Sequence, residues 1–309
     1  MYQKPSVPRS IGGVLDDTMQ LYKASFSRCL VPALLMGVAV ALLGFYQVSR
    51  LPITASGGTD LQALFARGMA TSPASSLMSL VAILIDLVFY GVMIFITAAV
   101  SRDETPTIGA SFAASLRRLP ANIGASLLVA IAGVIGAGVA LVPFFVVLAG
   151  NPRGATLQQI ASRMGPAVLV CLVLVIPVIY VVSRMLLYMV PLVAERQGPL
   201  RSIATSWRLV GGNWWRSSTV LFVMGIIVYV LTIVVIAIAG AIGVMVTGIP
   251  TGAGQVLGAA AMIGALMGGA IRIVSAPLMS ALFVSLYHDL VLRKGGGDLE
   301  ARLGALPKG

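Results

Sequence analysis

SSTVLFVMGIIVYVLTIVVIAIAGAIGVMVTGIPTGAGQVLGAAAMIGALMGGAI, from Ser217 to Ile271, runs for 55 residues without an Asp, Glu, Lys or Arg. A soluble domain has no place for so long an apolar stretch, because no face of it is left for water. Lipid accepts it: a transmembrane helix takes about 20 predominantly apolar residues. The stretch holds two such helices, joined across the turn-like Gly248-Ile249-Pro250-Thr251-Gly252. The chain therefore reads as an integral membrane protein.

Four more apolar segments precede this pair. The six spans predicted are Cys29 to Val48, Ser76 to Val100, Ala121 to Leu148, Pro166 to Val193, Ser218 to Val246 and Val256 to Tyr287. Inside lipid every backbone N–H and C=O must be satisfied within the segment, so these are helices and not open strands. The third and sixth exceed the minimum length, which tilt, kinks or interfacial turns absorb. The expected fold is all-α, a polytopic membrane bundle of six helices in one integral membrane domain over residues 1–309.

Basic residues set the expected orientation. Lys4, Arg9, Lys23, Arg28, Arg102, Arg117, Arg118, Arg196, Arg201, Arg208, Arg216, Arg293, Lys294, Arg302 and Lys308 fall on one side of the six spans. Only Arg50, Arg67, Arg153 and Arg163 fall on the other. An excess of Lys and Arg marks the cytoplasmic side, so both termini are expected there, in a bacterial inner membrane. Trp214 and Trp215 sit where an interfacial aromatic belt belongs. Met1 to Arg28 carries Asp16 and Asp17 and no short apolar run ending in small residues. The first span is thus expected to act as an uncleaved signal.

Composition agrees. The chain is 58% hydrophobic and 10% charged, with mean hydropathy +0.99, against about 25% charged in soluble domains. The net charge of +11 follows the topology and matches no nucleic-acid recognition module, so nucleic acid is not an expected partner. Cys29 and Cys171 are isolated in or beside apolar segments and read as small buried hydrophobes. Neither a disulfide nor a metal site has support. Gly254 with Gly258 and Gly264 with Gly268 form two GxxxG spacings. Such spacings let helices approach within one chain or across a homodimer face.

A short amphipathic segment precedes each pair of spans. Ile11, Leu15, Met19, Tyr22 and Phe26 form the first apolar stripe; Ile108, Phe112, Leu116 and Leu119 the second; Leu200, Ile203, Trp207 and Val210 the third, beside Arg201 and Arg208. Helices of this kind lie at the headgroup level. Aligning Phe26, Ile123 and Trp214 brings Thr18, Ser115 and Ser206 into register at offsets of 97 and 91 residues. Leu61-Gln62 and Arg67 recur as Leu157-Gln158 and Arg163, 96 residues on. The pattern points to three repeats of an amphipathic helix plus a hairpin, over residues 10–100, 107–195 and 199–290, with a short tail over 291–309.

Asp86, Arg184 and Arg272 are the only charges well inside the spans, in the second, fourth and sixth, at offsets of 98 and 88. Charges in lipid need a partner or a polar cavity. Ser79, Asp86, Tyr90 and Thr97 share one helix face; Tyr180, Arg184 and Tyr188 share another, with Ser183 beside it; Ser275 accompanies Arg272. Three readings stay open. Asp86 pairs with one arginine and fixes the bundle; or the surplus positive charge receives an anionic headgroup or phosphodiester, for which a guanidinium is suited; or Arg184 snorkels toward the cytoplasmic interface.

Catalytic motifs are missing. His288 is the only histidine, at the cytoplasmic end of the last span. No second membrane carboxylate completes a dyad with Asp86. No HExxH, phosphate-binding loop or dinucleotide fingerprint occurs. The expectation is a protein that is not an enzyme and carries no cofactor.

Glu195-Arg196-Gln197-Gly198-Pro199-Leu200-Arg201-Ser202-Ile203-Ala204-Thr205-Ser206-Trp207-Arg208-Leu209-Val210, followed by Gly212-Asn213-Trp214-Trp215, resembles the membrane domain associated with bacterial glycerophosphoryl diester phosphodiesterases. Leu286-Tyr287-His288-Asp289-Leu290, Arg293 and Gly297-Asp298-Leu299-Glu300 resemble that family's closing motif. Ser10-Ile11-Gly12-Gly13-Val14-Leu15-Asp16-Asp17 and Leu21-Tyr22-Lys23 resemble its opening. Val291 stands where the family has an arginine, and Gly295-Gly296-Gly297 loosens the last motif. The resemblance implies a multi-helix membrane module without the family's catalytic barrel, tied to lipid or glycerophosphodiester metabolism by association alone.

In the tail, Asp289 and Arg293 are spaced to pair on the last helical turn. Asp298-Leu299-Glu300 is expected to dock on the basic segments. Two functions follow. One is binding or transport of an anionic lipid or glycerophosphodiester-like ligand through Asp86, Arg184, Arg272, Tyr90, Tyr180 and Tyr188. The other is a scaffold or accessory subunit whose interface residues Trp207, Trp214, Trp215, Arg201 and Arg208 engage anionic membrane lipid or a partner membrane protein.

Overall fold

The computed structural model describes residues 2, 4–49, 73–150, 157–247 and 253–295. These are helical, with no strand among the described residues: α1 (Ile11–Ser49), α2 (Pro73–Val100), α3 (Ile108–Ala149), α4 (Leu157–Met185), α5 (Met189–Val193), α6 (Pro199–Val210), α7 (Trp214–Thr247) and α8 (Ala253–Lys294). Six helical stretches among the described residues are long and apolar enough to cross a membrane: Ile11–Tyr46, Ser76–Val100, Ile108–Val147, Met164–Val193, Trp214–Ile242 and Met262–Lys294. The chain is an all-α, multi-pass membrane protein.

What is exposed supports this as much as what is long. Leu169 on α4 and Phe222 on α7 are 66% and 69% exposed, among many aliphatic neighbours equally bare. Continuous apolar surface of that extent is not tolerated in water, and lipid tails cover it without cost. The chain divides into two compact units, residues 1–119 with 219–309, and residues 120–218.

In the first unit, α8 packs against α1 and α2. From Ser275 to Leu290, α8 is buried almost all round, as a helix without a polar face must be when it sits among others. Val14, Leu21, Cys29, Ala33 and Met36 of α1 meet this core, with Val92, Met93, Ile94 and Ile96 of α2. Cys29 is buried as expected, its Sγ 3.8 Å from the Thr97 hydroxyl.

α1 and α8 approach almost backbone to backbone. A Cβ placed on Gly269 would run into the Gly37 carbonyl and come within 2.8 Å of Ala41 Cβ; one on Gly44 would lie 2.9 Å from Ala265 Cβ. The close seam is therefore Gly37, Ala41 and Gly44 against Ala265 and Gly269. The expected spacing Gly264 to Gly268 faces open space among the described residues. The surroundings of Gly254 and Gly258 lie outside the described residues. Small residues do permit close crossing here, one position along from the motif.

The amphipathic segments differ from expectation in two ways. First, only α6 is a separate helix. The other two run without interruption into α1 and α3, because no glycine pair intervenes. After α6 the chain breaks at Gly211-Gly212, with Gly212 at φ 83°, where a side chain is disfavoured. Second, the apolar stripes do not turn inward as a whole, although Val210 at the end of the third is fully buried. Thr18 and Ser25 are buried on α1, Ser111 and Ser115 on α3, Ser202 and Ser206 on α6, whereas Met19, Leu116 and Trp207 are exposed. In lipid, large apolar side chains gain little by turning inward, and small hydroxyl residues let helices close up. Their hydroxyls bond nearby carbonyls, as Thr18 does to Val14 at 2.7 Å and Ser25 to Leu21 at 2.8 Å.

The N-terminal segment is clasped to the end of α8. Asp289 Oδ1 accepts from the Arg9 backbone N–H at 2.8 Å and Oδ2 from Arg293 Nε at 3.1 Å. Arg293 also donates to the Arg9 carbonyl at 2.6 Å, and Arg9 reaches Asp17 at 3.5 Å. The expected Asp289–Arg293 pair forms, within a larger clasp. The expected docking of Asp298, Leu299 and Glu300 lies outside the described residues, as does the loop similarity at Leu61, Gln62 and Arg67.

In the second unit, α4 gives way to a 3₁₀ turn, Leu186–Tyr188, before α5. Pro191 explains the break: it has no N–H for the carbonyl four residues back, and its ring crowds that carbonyl. α6 packs across this junction.

Candidate functional site

Asp86 and Tyr90 lie one turn apart on α2, and α8 brings Arg272 to both. Arg272 Nη1 donates to the Tyr90 hydroxyl at 3.1 Å. Its Nη2 stands 3.6 Å from Asp86 Oδ2, with the two side chains 35% and 33% exposed. The ion pair is long, beyond hydrogen-bonding range. Asp86 Oδ1 is buried with no hydrogen-bond partner. This is the reading in which Asp86 takes one arginine, and the arginine is Arg272. Thr97 of the same face is deeply buried, and Ser275 is buried beside the α8 core.

Arg184 is accommodated differently, wholly within the second unit. Its Nη1 donates to the Tyr180 hydroxyl and its Nη2 to the Trp207 carbonyl, each at 2.9 Å. Its guanidinium carbon stands 4.1 Å from the Trp207 ring centroid and 5.3 Å from that of Tyr180. Aromatic faces and a carbonyl do here what a carboxylate would do elsewhere. A Cβ on Gly211 would run into the Arg184 guanidinium, so the glycine makes room for it. Ser206 donates to the Arg184 carbonyl at 2.7 Å, which pins α6 to the end of α4. Tyr188 is buried in the 3₁₀ turn.

The three tryptophans play distinct parts. Trp214 turns in, donating from Nε1 to Ser183 Oγ at 2.7 Å and packing edge-on to Tyr180 at 5.1 Å. Trp207 stacks on Arg184. Trp215 is 76% exposed and alone suits the outer face of an aromatic belt. Arg201 and Arg208 are exposed on α6. His288 Nδ1 is buried without a partner.

Sequence reading did not foresee the Ser183–Trp214 bond, the room left by Gly211, or Arg9 in the clasp. The glycine pair ahead of two tryptophans was the available signal for the first two. The clasp joins residues 280 apart through a backbone N–H, which leaves no trace in side-chain type.

The residues define a polytopic helical membrane protein with, among the described residues, one ion pair inside its spans and a second arginine held by aromatic rings. No family model matches the chain, and neither curated proteins nor solved structures include a match to it.

Proposed function

We propose that the chain is a non-enzymatic protein of a bacterial cytoplasmic membrane, with both termini cytoplasmic, that binds a glycerophosphodiester-like ligand or anionic lipid headgroup at Asp86, Tyr90 and Arg272. The observation that carries this is the unfinished ion pair: Arg272 stands off from Asp86 at 3.6 Å while Asp86 Oδ1 finds no donor. Unsatisfied polar groups in lipid are costly. A ligand that presents both a phosphate oxygen and a hydroxyl would meet both needs, the oxygen accepting from Arg272 and the hydroxyl donating to Asp86. The resemblance to the phosphodiesterase-associated membrane domain supports the same ligand class. The site has one carboxylate and no imidazole, so hydrolysis would have no acid–base pair.

The test is to purify the full chain in mild detergent, extract it and identify retained small molecules by mass spectrometry. A glycerol-bearing phosphodiester or anionic lipid retained by wild type, and lost in both Asp86→Asn and Arg272→Gln, is expected. Equal retention by all three would refute the reading.

Internal triplication belongs to this reading. It is supported by matching burial at Thr18, Ser115 and Ser206 and matching exposure at Met19, Leu116 and Trp207. Ser115 donates to the Val88 carbonyl at 2.8 Å, as Ser206 does to that of Arg184. Asp103 and Arg196, 93 residues apart, both take left-handed φ, 59° and 57°, after a helix. The scaffold alternative draws on the exposed outer face of α6.

A further inference from the structure

We infer that the outer face of α6 is a docking site for the headgroup of an anionic phospholipid, separate from the Asp86–Arg272 pair. Arg201 and Arg208 lie two turns apart on this helix and, with Gln197, Ala204 and Thr205, line an open concavity of about 250 Å³. That is smaller than pockets for drug-sized molecules, which start near 300 Å³. Neither arginine makes an ion pair or hydrogen bond among the described residues, and both are exposed. Two unneutralised guanidinium groups around one hollow call for an anion.

The floor of the hollow is held in place. Thr205 Oγ1 donates to Gln197 Oε1, and Gln197 Nε2 donates to Glu195 Oε2, each at 2.9 Å. Behind it, Ser206 anchors α6 to the end of α4, so the arginines stand on a fixed helix.

The surroundings select a lipid over a free anion. Leu200 is 71% exposed on α6, and Trp215, at the start of the span that follows, is 76% exposed. Leu200 precedes Arg201 on α6, and Trp215 stands at the start of α7, a few residues beyond the end of α6. An apolar anchor beside a basic face is the pattern of a segment resting on an anionic leaflet. A free phosphate would satisfy the arginines and leave the apolar side chains in water. Lipid covers both.

Native mass spectrometry of the full chain in detergent, titrated with phosphatidylglycerol and with phosphatidylcholine of the same acyl chains, tests this. Wild type is expected to prefer phosphatidylglycerol. Arg201→Gln/Arg208→Gln is expected to weaken phosphatidylglycerol binding about thirtyfold, from the usual contribution of two basic residues at an anionic surface, with phosphatidylcholine binding and circular dichroism unchanged. Three outcomes would overturn the inference. The double variant keeps the preference; inorganic phosphate displaces the lipid; or the preference is absent while a stoichiometric partner chain stays bound to wild type. Arg272→Gln separates the two proposals. Loss of the preference in that variant alone would refute the α6 site and leave the membrane pair standing. Loss in the α6 variant alone, with no retained ligand at Asp86, would do the reverse.

Discussion

At the scale of single residues, the charges inside the spans are each matched to a different kind of partner. Breaking a fully buried ion pair costs about 3–5 kcal/mol. Asp86 and Arg272 are about one-third exposed and 3.6 Å apart, so Asp86→Asn and Arg272→Gln are each expected to cost about 1–2 kcal/mol. Their effects are expected to be less than additive in the double variant, as read by thermal unfolding in detergent. Strict additivity would mean that the pair does not interact. Ser183→Ala would strand the Trp214 indole N–H, at a cost of about 1–2 kcal/mol, with a shift in tryptophan emission; an unchanged spectrum would count against the bond. Chain position alone showed which residues are charged within lipid. It did not show that Arg184 would be held by Tyr180 and Trp207, because aromatic faces and a backbone carbonyl leave no charge pattern to read.

At the scale of helices, the seam between α1 and α8 brings two backbones closest together among the described residues. Gly269→Ala is expected to destabilise by about 1–3 kcal/mol, since the Gly37 backbone cannot yield as a side chain would. Gly264→Ala, with open space around it, is expected to stay within about 0.5 kcal/mol of wild type. Thermal melts of the two variants in one detergent compare them directly, and equal losses would put the close crossing elsewhere. The helices themselves were legible: the spans at Ser76 to Val100 and Ser218 to Val246 differ from α2 and α7 by only a few residues at their ends. The seam was not, because many glycines have GxxxG-like spacing and only the partner's contour selects among them.

At the scale of the whole chain, a single carboxylate ties the first described residues to the last. Asp289 is almost wholly buried and holds both the Arg9 N–H and Arg293. Asp289→Asn keeps the shape and loses the charge; faster hydrogen exchange over residues 4–13 is expected, without loss of the α2–α8 core. Tyr2 reports on the same region. Burial, with the Asp17 carboxylate beside it, pushes the Tyr2 phenol up to about 12 from its usual 10. Its docking contribution is therefore present below pH 10 and is lost as pH rises toward 12. The difference in phenolate absorbance between wild type and Tyr2→Phe should titrate late; a difference that titrates at the ordinary value would mean the segment is not docked.

The sequence by itself determined that this chain crosses a membrane six times as helices. That conclusion is local: each segment must be apolar over a fixed length and must satisfy its own backbone, and both conditions are met or failed within about 20 consecutive residues. Only the tertiary structure decided which arginine Asp86 meets, which glycines touch, and which face of each amphipathic segment turns inward. Lipid is the reason. In water, burial of apolar side chains marks the core; in a bilayer both faces are apolar, that signal vanishes, and shape and hydrogen bonding between residues far apart in the chain decide what packs on what.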